Sequence, residues 1–243
     1  WSSDVCSSDL NGYAEKFKHT IQPSFSVERT TAISNFGRVV EGIDTGVVGG
    51  VTSLGYGVTN RLYAKRHLGT VSQSQEIVNL EVRQTYYTDS RAAQFDATYG
   101  TSFSGASSTR FSPVQVTLNA NPTSGVTGTV RAEIDPVAWE LRTLSVGARR
   151  AWPAGFVDTS WNQRFLVAGQ PGFTAEQRSR SLNATTNLHT VDNRYGGMYV
   201  LAVDALRSTI LQQTIQTYYN AQCCGFALQY SRAHLGVIPN NNR

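Results

Sequence analysis

The sequence predicts an all-β chain, an antiparallel array of about eleven strands of the kind that closes into a membrane-spanning barrel. Three observations lead there. Apolar and polar residues alternate with period two in stretch after stretch, as where Val78, Leu80, Val82 and Tyr86 interleave with Asn79, Glu81, Arg83 and Thr85. The composition favours strands: Tyr, Thr, Ser, Val and Gly are plentiful, charged residues make up 16% and a single Met is present. No window approaches the roughly 18 apolar residues of a spanning helix, whereas a spanning strand needs only about 9 to 11 alternating ones.

The first ten residues, WSSDVCSSDL, carry neither periodicity nor turn logic. They read as the in-frame translation of a sequencing adapter, so residues 1–10 are set aside as a non-native leader and residues 11–243 are taken as the domain. The formal charge of +4 then becomes +6, because Asp4 and Asp9 leave with the leader. Lys and Arg are scattered along the chain and form no run, so nucleic acid is not an expected partner.

The strands are expected in the following order. His19 to Thr31 places Ile21, Pro23, Phe25 and Val27 on one parity, and its proline suits a strand start or an edge. A Gly-rich connection over 35–51 leads to SLGYGVTNRLYAKR, where Leu54, Tyr56, Val58 and Leu62 alternate with Gly55, Gly57, Thr59 and Arg61. A polar bend separates it from the Val78–Tyr86 strand, and a long polar loop runs from Asp89 to Arg110. Val114 to Ala120 and Val126 to Ile134 then form a hairpin about the Pro122-Thr123-Ser124-Gly125 turn, closed by Asp135-Pro136. Less tidy strands are expected at 139–150, 161–168, 180–189, 195–205, 209–218 and 223–232. Connection lengths alternate between long and short through the first five strands, and the Asp135-Pro136 link is short where a long one was due. Tyr86, Tyr87, Trp139, Trp152, Trp161, Tyr218 and Tyr219 fall near strand ends, where a barrel carries its interfacial aromatic belts.

The last strand carries two adjacent cysteines, Cys223 and Cys224, ahead of Phe226, Leu228 and Tyr230 on one parity and Gly225, Ala227 and Gln229 on the other. Neighbouring cysteines bond each other only by distorting the intervening peptide, so each calls for a separate partner. Cys6, in the leader, is the only other cysteine. Two readings stay open: a pair of free buried thiols in a reducing compartment, or bonds to cysteines lying elsewhere in an oxidising one.

No catalytic constellation stands out. His19, His67, His189 and His234 are far apart, no Gly-x-Ser-x-Gly elbow occurs, and Gly46 to Gly50 lacks the Lys and Ser or Thr of a phosphate loop. Glu81 with Arg83, and Arg131 with Glu133, are expected to pair across strands on a wet face. The chain is therefore expected to be no enzyme, with no metal or cofactor.

Four stretches in order, FKHTIQPSFSV, LGYGVTNRLYAKR, FSPVQVTLNANPTSG followed by VRAEIDP, and YYNAQCCGFALQY, together resemble the C-terminal part of the outer-membrane barrel of the LptD family, also called the organic solvent tolerance family. The resemblance spans most of residues 18–230 and implies a transmembrane β-barrel fragment, incomplete at both ends. It further implies a part of the translocon that assembles lipopolysaccharide into the outer leaflet of the Gram-negative outer membrane. The expected partners are a plug lipoprotein like LptE, an N-terminal jelly roll, the periplasmic Lpt bridge, lipopolysaccharide and outer-membrane lipid. In this family Cys223 and Cys224 would correspond to the adjacent cysteines that bond the N-terminal periplasmic domain. Two alternatives are carried: a porin-like channel barrel, and a soluble or surface all-β adhesin whose apolar parity fills a sandwich core. The stacking of Val78, Leu80, Val82, Val130 and Ile134 separates the adhesin from the barrels.

Overall fold

The computed structural model describes residues 2–3, 14, 16–32, 49–68, 71–102, 109–165, 167, 178–221 and 223–234. They form one twelve-stranded antiparallel sheet whose spatial order follows the chain. The strands are β1 (Ser2–Ser3), β2 (Lys16–Arg29), β3 (Thr52–Leu68), β4 (Val71–Tyr87), β5 (Val114–Thr123), β6 (Val126–Ile134), β7 (Leu141–Trp152), β8 (Gly155–Arg164), β9 (Ser179–His189), β10 (Tyr195–Asp204), β11 (Thr209–Asn220) and β12 (Gly225–Ala233). β1 pairs only Ser2 and Ser3 with Thr20 and His19, so eleven long strands carry the architecture. The sheet is open, with β12 bonded to β11 alone.

Register sorts the two faces, because residues directly opposite in an antiparallel pair share one face. A single row runs Ile21, Asn60, Leu80, Leu118, Val130, Val146, Trp161, Leu182, Val203 and Ile210 from β2 to β11, apolar but for Asn60. One residue away, the row Gln22, Thr59, Glu81, Thr117, Arg131, Ser145, Asn162, Ser181, Asp204 and Thr209 is polar throughout. Val78, Leu80, Val82, Val130 and Ile134 all stand on the apolar face, and among the described residues no second sheet stacks on them.

The apolar face is uncovered. Inside the sheet Val58, Val146 and Leu182 remain 36–39% exposed, and on the edge strands Phe25, Val27, Phe226, Leu228 and Tyr230 reach 59–70%. Burial is unusual as well. Among the described residues as many polar as apolar side chains are buried, including Gln115, Glu133, Asp135 and Arg142, whereas a water-soluble core is mostly apolar. Among the described residues two small apolar clusters form, one of Ala14, Ala64 and Ile77 and the other of Val51, Tyr87 and Ala93.

The two rims differ. On one, the connections are 69–70, Ser124-Gly125, Pro153-Ala154, 190–194 and 221–224, none exceeding five residues. On the other they are 30–51, 88–113, 135–140, 165–178 and 205–208. The Asp135-Pro136 link is short where a long one was due, as is 205–208: all the short-rim connections are brief, while the opposite rim mixes long and brief ones. Gly125 is required in its turn, since φ is +83° and a Cβ would collide with the Ala151 carbonyl.

Several strand boundaries move. β3 and β4 run on to a connection of only residues 69–70, where a polar bend was expected, because Ser72 to Glu76 pair in register although both parities are polar. The expected 161–168 strand is instead Gly155–Arg164, started by the Pro153-Ala154 turn; residues 166 and 168 lie outside the described residues. Trp139 begins no strand: it sits at φ 56° in the turn that joins β6 to β7. A 3-10 turn, η1 (Ala92–Phe95), interrupts the long polar loop.

Candidate functional site

Cys223 and Cys224 sit in the 221–224 connection between β11 and β12, on the rim of short turns. They precede the strand expected to contain them, because the Ala221 N–H donates to the Cys224 carbonyl at 2.7 Å and closes a reverse turn there. Both thiols are free and exposed, so the burial supposed by one of the two open readings is not found. The turn is anchored to its neighbour: the Asn220 N–H donates to the Arg194 carbonyl at 2.7 Å, the Asn220 side-chain amide to the Asn193 carbonyl at 3.2 Å, and the Tyr218 hydroxyl to Asn193 Oδ1 at 2.7 Å. A fixed turn thus presents two adjacent thiols to whatever medium lies beyond the rim. Cys6 lies outside the described residues.

Beside this turn, Tyr195, Tyr219 and Phe226 form one cross-strand row on the apolar face, with the two tyrosine rings 4.9 Å apart. Trp152 stands exposed on the same rim. At the opposite rim Tyr86 packs against Phe111 at 5.2 Å and Trp139 projects outward, 73% exposed. Two of the expected belt residues face the other way. Tyr87 is buried with its hydroxyl donating to Asp96, and Tyr218 lies on the polar face over Gly196, since adjacent strand residues cannot share a face. Trp161 lies on the apolar face within β8, between Val146 and Leu182.

The polar face carries mixed charge. Arg61 approaches Glu76 at 3.7 Å, Arg149 approaches Asp158 at 3.9 Å and Arg83 approaches Glu81 at 4.0 Å, all partly exposed pairs of modest strength. Glu81 and Arg83 thus meet along one strand and not across two. The expected Arg131–Glu133 pair does not form: Arg131 lies opposite Thr117 and Ser145, and Glu133 turns to residues 100–101. Among the described residues no group of three or more His, Cys, Asp and Glu converges on a metal position.

Sequence reasoning missed a buried ion pair at the long-connection rim, Arg142 with Asp135 at 2.8 Å, exposed by only 3% and 0%. Asp135 also accepts the Val137 and Ala138 N–H groups, both at 2.8 Å. Burial pushes its carboxyl up, but the donors from Ala138, Arg142 and Val137 outweigh it and the net value lies below the usual range. The available signal was an aspartate directly after a strand, which marks an Asx turn. Neither a protein-family model nor a curated protein matches this sequence.

Proposed function

We propose that the chain is part of an outer-membrane β-barrel of the LptD kind, a non-enzymatic component that inserts lipopolysaccharide into the outer leaflet. Its apolar face would meet hydrocarbon and its polar face a water-filled lumen, the arrangement in which every backbone group of a spanning sheet finds a partner without water. Two adjacent free thiols on the short-turn rim carry the reading. In outer-membrane barrels short turns face the periplasm, an oxidising compartment in which thiols acquire disulfide partners. Cys223 and Cys224 would there tie the barrel to a periplasmic jelly roll, while a plug lipoprotein like LptE fills the lumen and the periplasmic Lpt bridge delivers the lipid.

The test is the full-length protein in outer-membrane fractions, run on gels with and without reductant. Cys223→Ser with Cys224→Ser is expected to abolish the reductant-sensitive mobility shift while the barrel stays inserted. A shift that persists in the double variant, or is absent from the wild type, refutes the interdomain bonds.

A porin-like channel is the second reading, and residues 96–102 favour it. They lie over the polar face, where Tyr99, Thr101 and Ser102 are buried, and would narrow a lumen.

A further inference from the structure

We infer that residues 96–102 are a latch, held closed over the polar face by the carboxylate of Glu133. This rests on the polar face being a lumen, which both barrel readings share. The connection between β4 and β5 could have stood clear of the sheet, as loops ordinarily do. Instead the Gly100 N–H donates to Glu133 Oε1 at 2.8 Å, and the Thr101 N–H and hydroxyl donate to Oε2 at 2.9 and 2.6 Å. Arg142 Nη1 donates to the Thr101 carbonyl at 3.2 Å, so Thr101 is gripped at its N–H, carbonyl and hydroxyl.

Tyr99 shares a hydrogen bond with Thr85 at 3.0 Å, and the Arg83 guanidinium lies 5.7 Å from its ring centroid. Tyr99, Thr101 and Glu133 are each no more than 2% exposed. Three of these bonds converge on the Glu133 carboxylate, and hydrogen bonds to a charged acceptor are the strong ones. Removing the Glu133 carboxylate leaves the buried Thr101 N–H and hydroxyl and the half-buried Gly100 N–H without their acceptor, which the segment relieves by lifting into water. Glu133 is therefore the fastening that takes most of the bonds, beside those from Arg142 to Thr101, Thr85 to Tyr99 and Tyr87 to Asp96, and its release would widen the passage along the polar face.

The experiment compares wild type, Glu133→Ala and the control Glu81→Ala in the full-length protein. Glu81 is a polar-face carboxylate whose nearest ion-pair partner is Arg83 at 4.0 Å. Hydrogen exchange in detergent reads the fastening: protection of the Gly100 and Thr101 amides is expected to fall by about tenfold or more in Glu133→Ala alone. Vesicles of phosphatidylcholine and phosphatidylglycerol read the passage, with influx of a small neutral sugar expected to rise several-fold in the same variant.

Undiminished protection, or equal influx in wild type and Glu133→Ala, overturns the latch. Influx absent from all three variants, with the Glu133→Ala amides deprotected, removes the lumen and the latch's role together. Should Glu133→Ala fail to fold by heat-modifiable gel mobility, Thr101→Val decides. It removes only the hydroxyl donor and is expected to give the same changes at smaller amplitude, so no change in either readout counts against the latch.

Discussion

Val146→Arg discriminates between the two media that can touch the apolar face. Val146 lies mid-strand in β7 between Val130 and Trp161 and is 38% exposed. If that face meets water, an arginine there projects into solvent and stability shifts by no more than about 0.5 kcal/mol, as for ordinary surface positions. If it meets hydrocarbon, arginine near the bilayer midplane costs about 2–4 kcal/mol, roughly a 30- to 800-fold loss in the folding equilibrium. The strand supplies its own depth scale. Arg150 shares the parity of Val146, four residues nearer Trp152, about 14 Å along the strand and so about 10 Å of depth at a ~45° tilt. An arginine is thus native at the rim and predicted to be costly at the middle, with Ala148→Arg falling between. Thr129→Arg, exposed on the opposite face, is the control, expected within about 0.5 kcal/mol. The assay is reversible urea unfolding in phosphatidylcholine vesicles, followed by tryptophan fluorescence. Equal penalties for Val146→Arg and Thr129→Arg would refute a hydrocarbon-facing sheet.

Three further outcomes are expected. Gly125→Ala should lower stability by about 1–2 kcal/mol, read as a drop in urea midpoint at constant slope, because φ is +83° and the Ala151 carbonyl blocks the new Cβ. Arg142→Ala should cost about 3–5 kcal/mol, since it strands the fully buried Asp135 carboxylate, and Asp135→Asn in the same background should recover part of the loss. The Asp135 carboxyl titrates below its unfolded value of about 4, so its stabilisation is complete above that pH and is lost as pH falls through the lower folded value. Protection of the Val137 and Ala138 amides, taken relative to the intrinsic exchange rate at each pH, should fall on that acid side in wild type, and Asp135→Asn should flatten the dependence.

What was legible followed from period two. Val126–Ile134 is found with the boundaries its alternation gave, and the split of Leu54, Val58 and Val82 from Gly57, Thr59 and Arg83 survives in register. β8 was misplaced because Thr159 and Gln163 occupy the apolar parity around Trp161, which weakens the alternation; the Pro153-Ala154 turn was the better marker. The polar extension of β3 and β4 was invisible for the same reason, since a strand polar on both parities has no hydrophobic period to detect. The paired thiols were conspicuous, and their place on the short-connection rim needed the register of every preceding hairpin. The Glu133 fastening could not be read at all. Thr101 and Glu133 are 32 residues apart, and neither the loop nor the strand announces the other.

Strand direction adds a constraint on how the proposed barrel closes. Antiparallel neighbours alternate, so β2 and β12, ten steps apart in the sheet, run the same way. Pairing them directly would make a parallel seam, whereas bacterial barrels of this kind are antiparallel throughout with an even number of strands. Closure therefore requires an odd number of additional strands between these two edges, whichever chain supplies them. Their pattern is constrained too. Phe226, Leu228 and Tyr230 on one edge and Phe25 and Val27 on the other continue the apolar rows, so the incoming strands must place apolar residues on that parity. A one-residue slip would set polar side chains against hydrocarbon along the whole seam. An edge this apolar and this regular is otherwise a template for uncontrolled pairing, so the isolated sheet is expected to aggregate unless its edges are occupied.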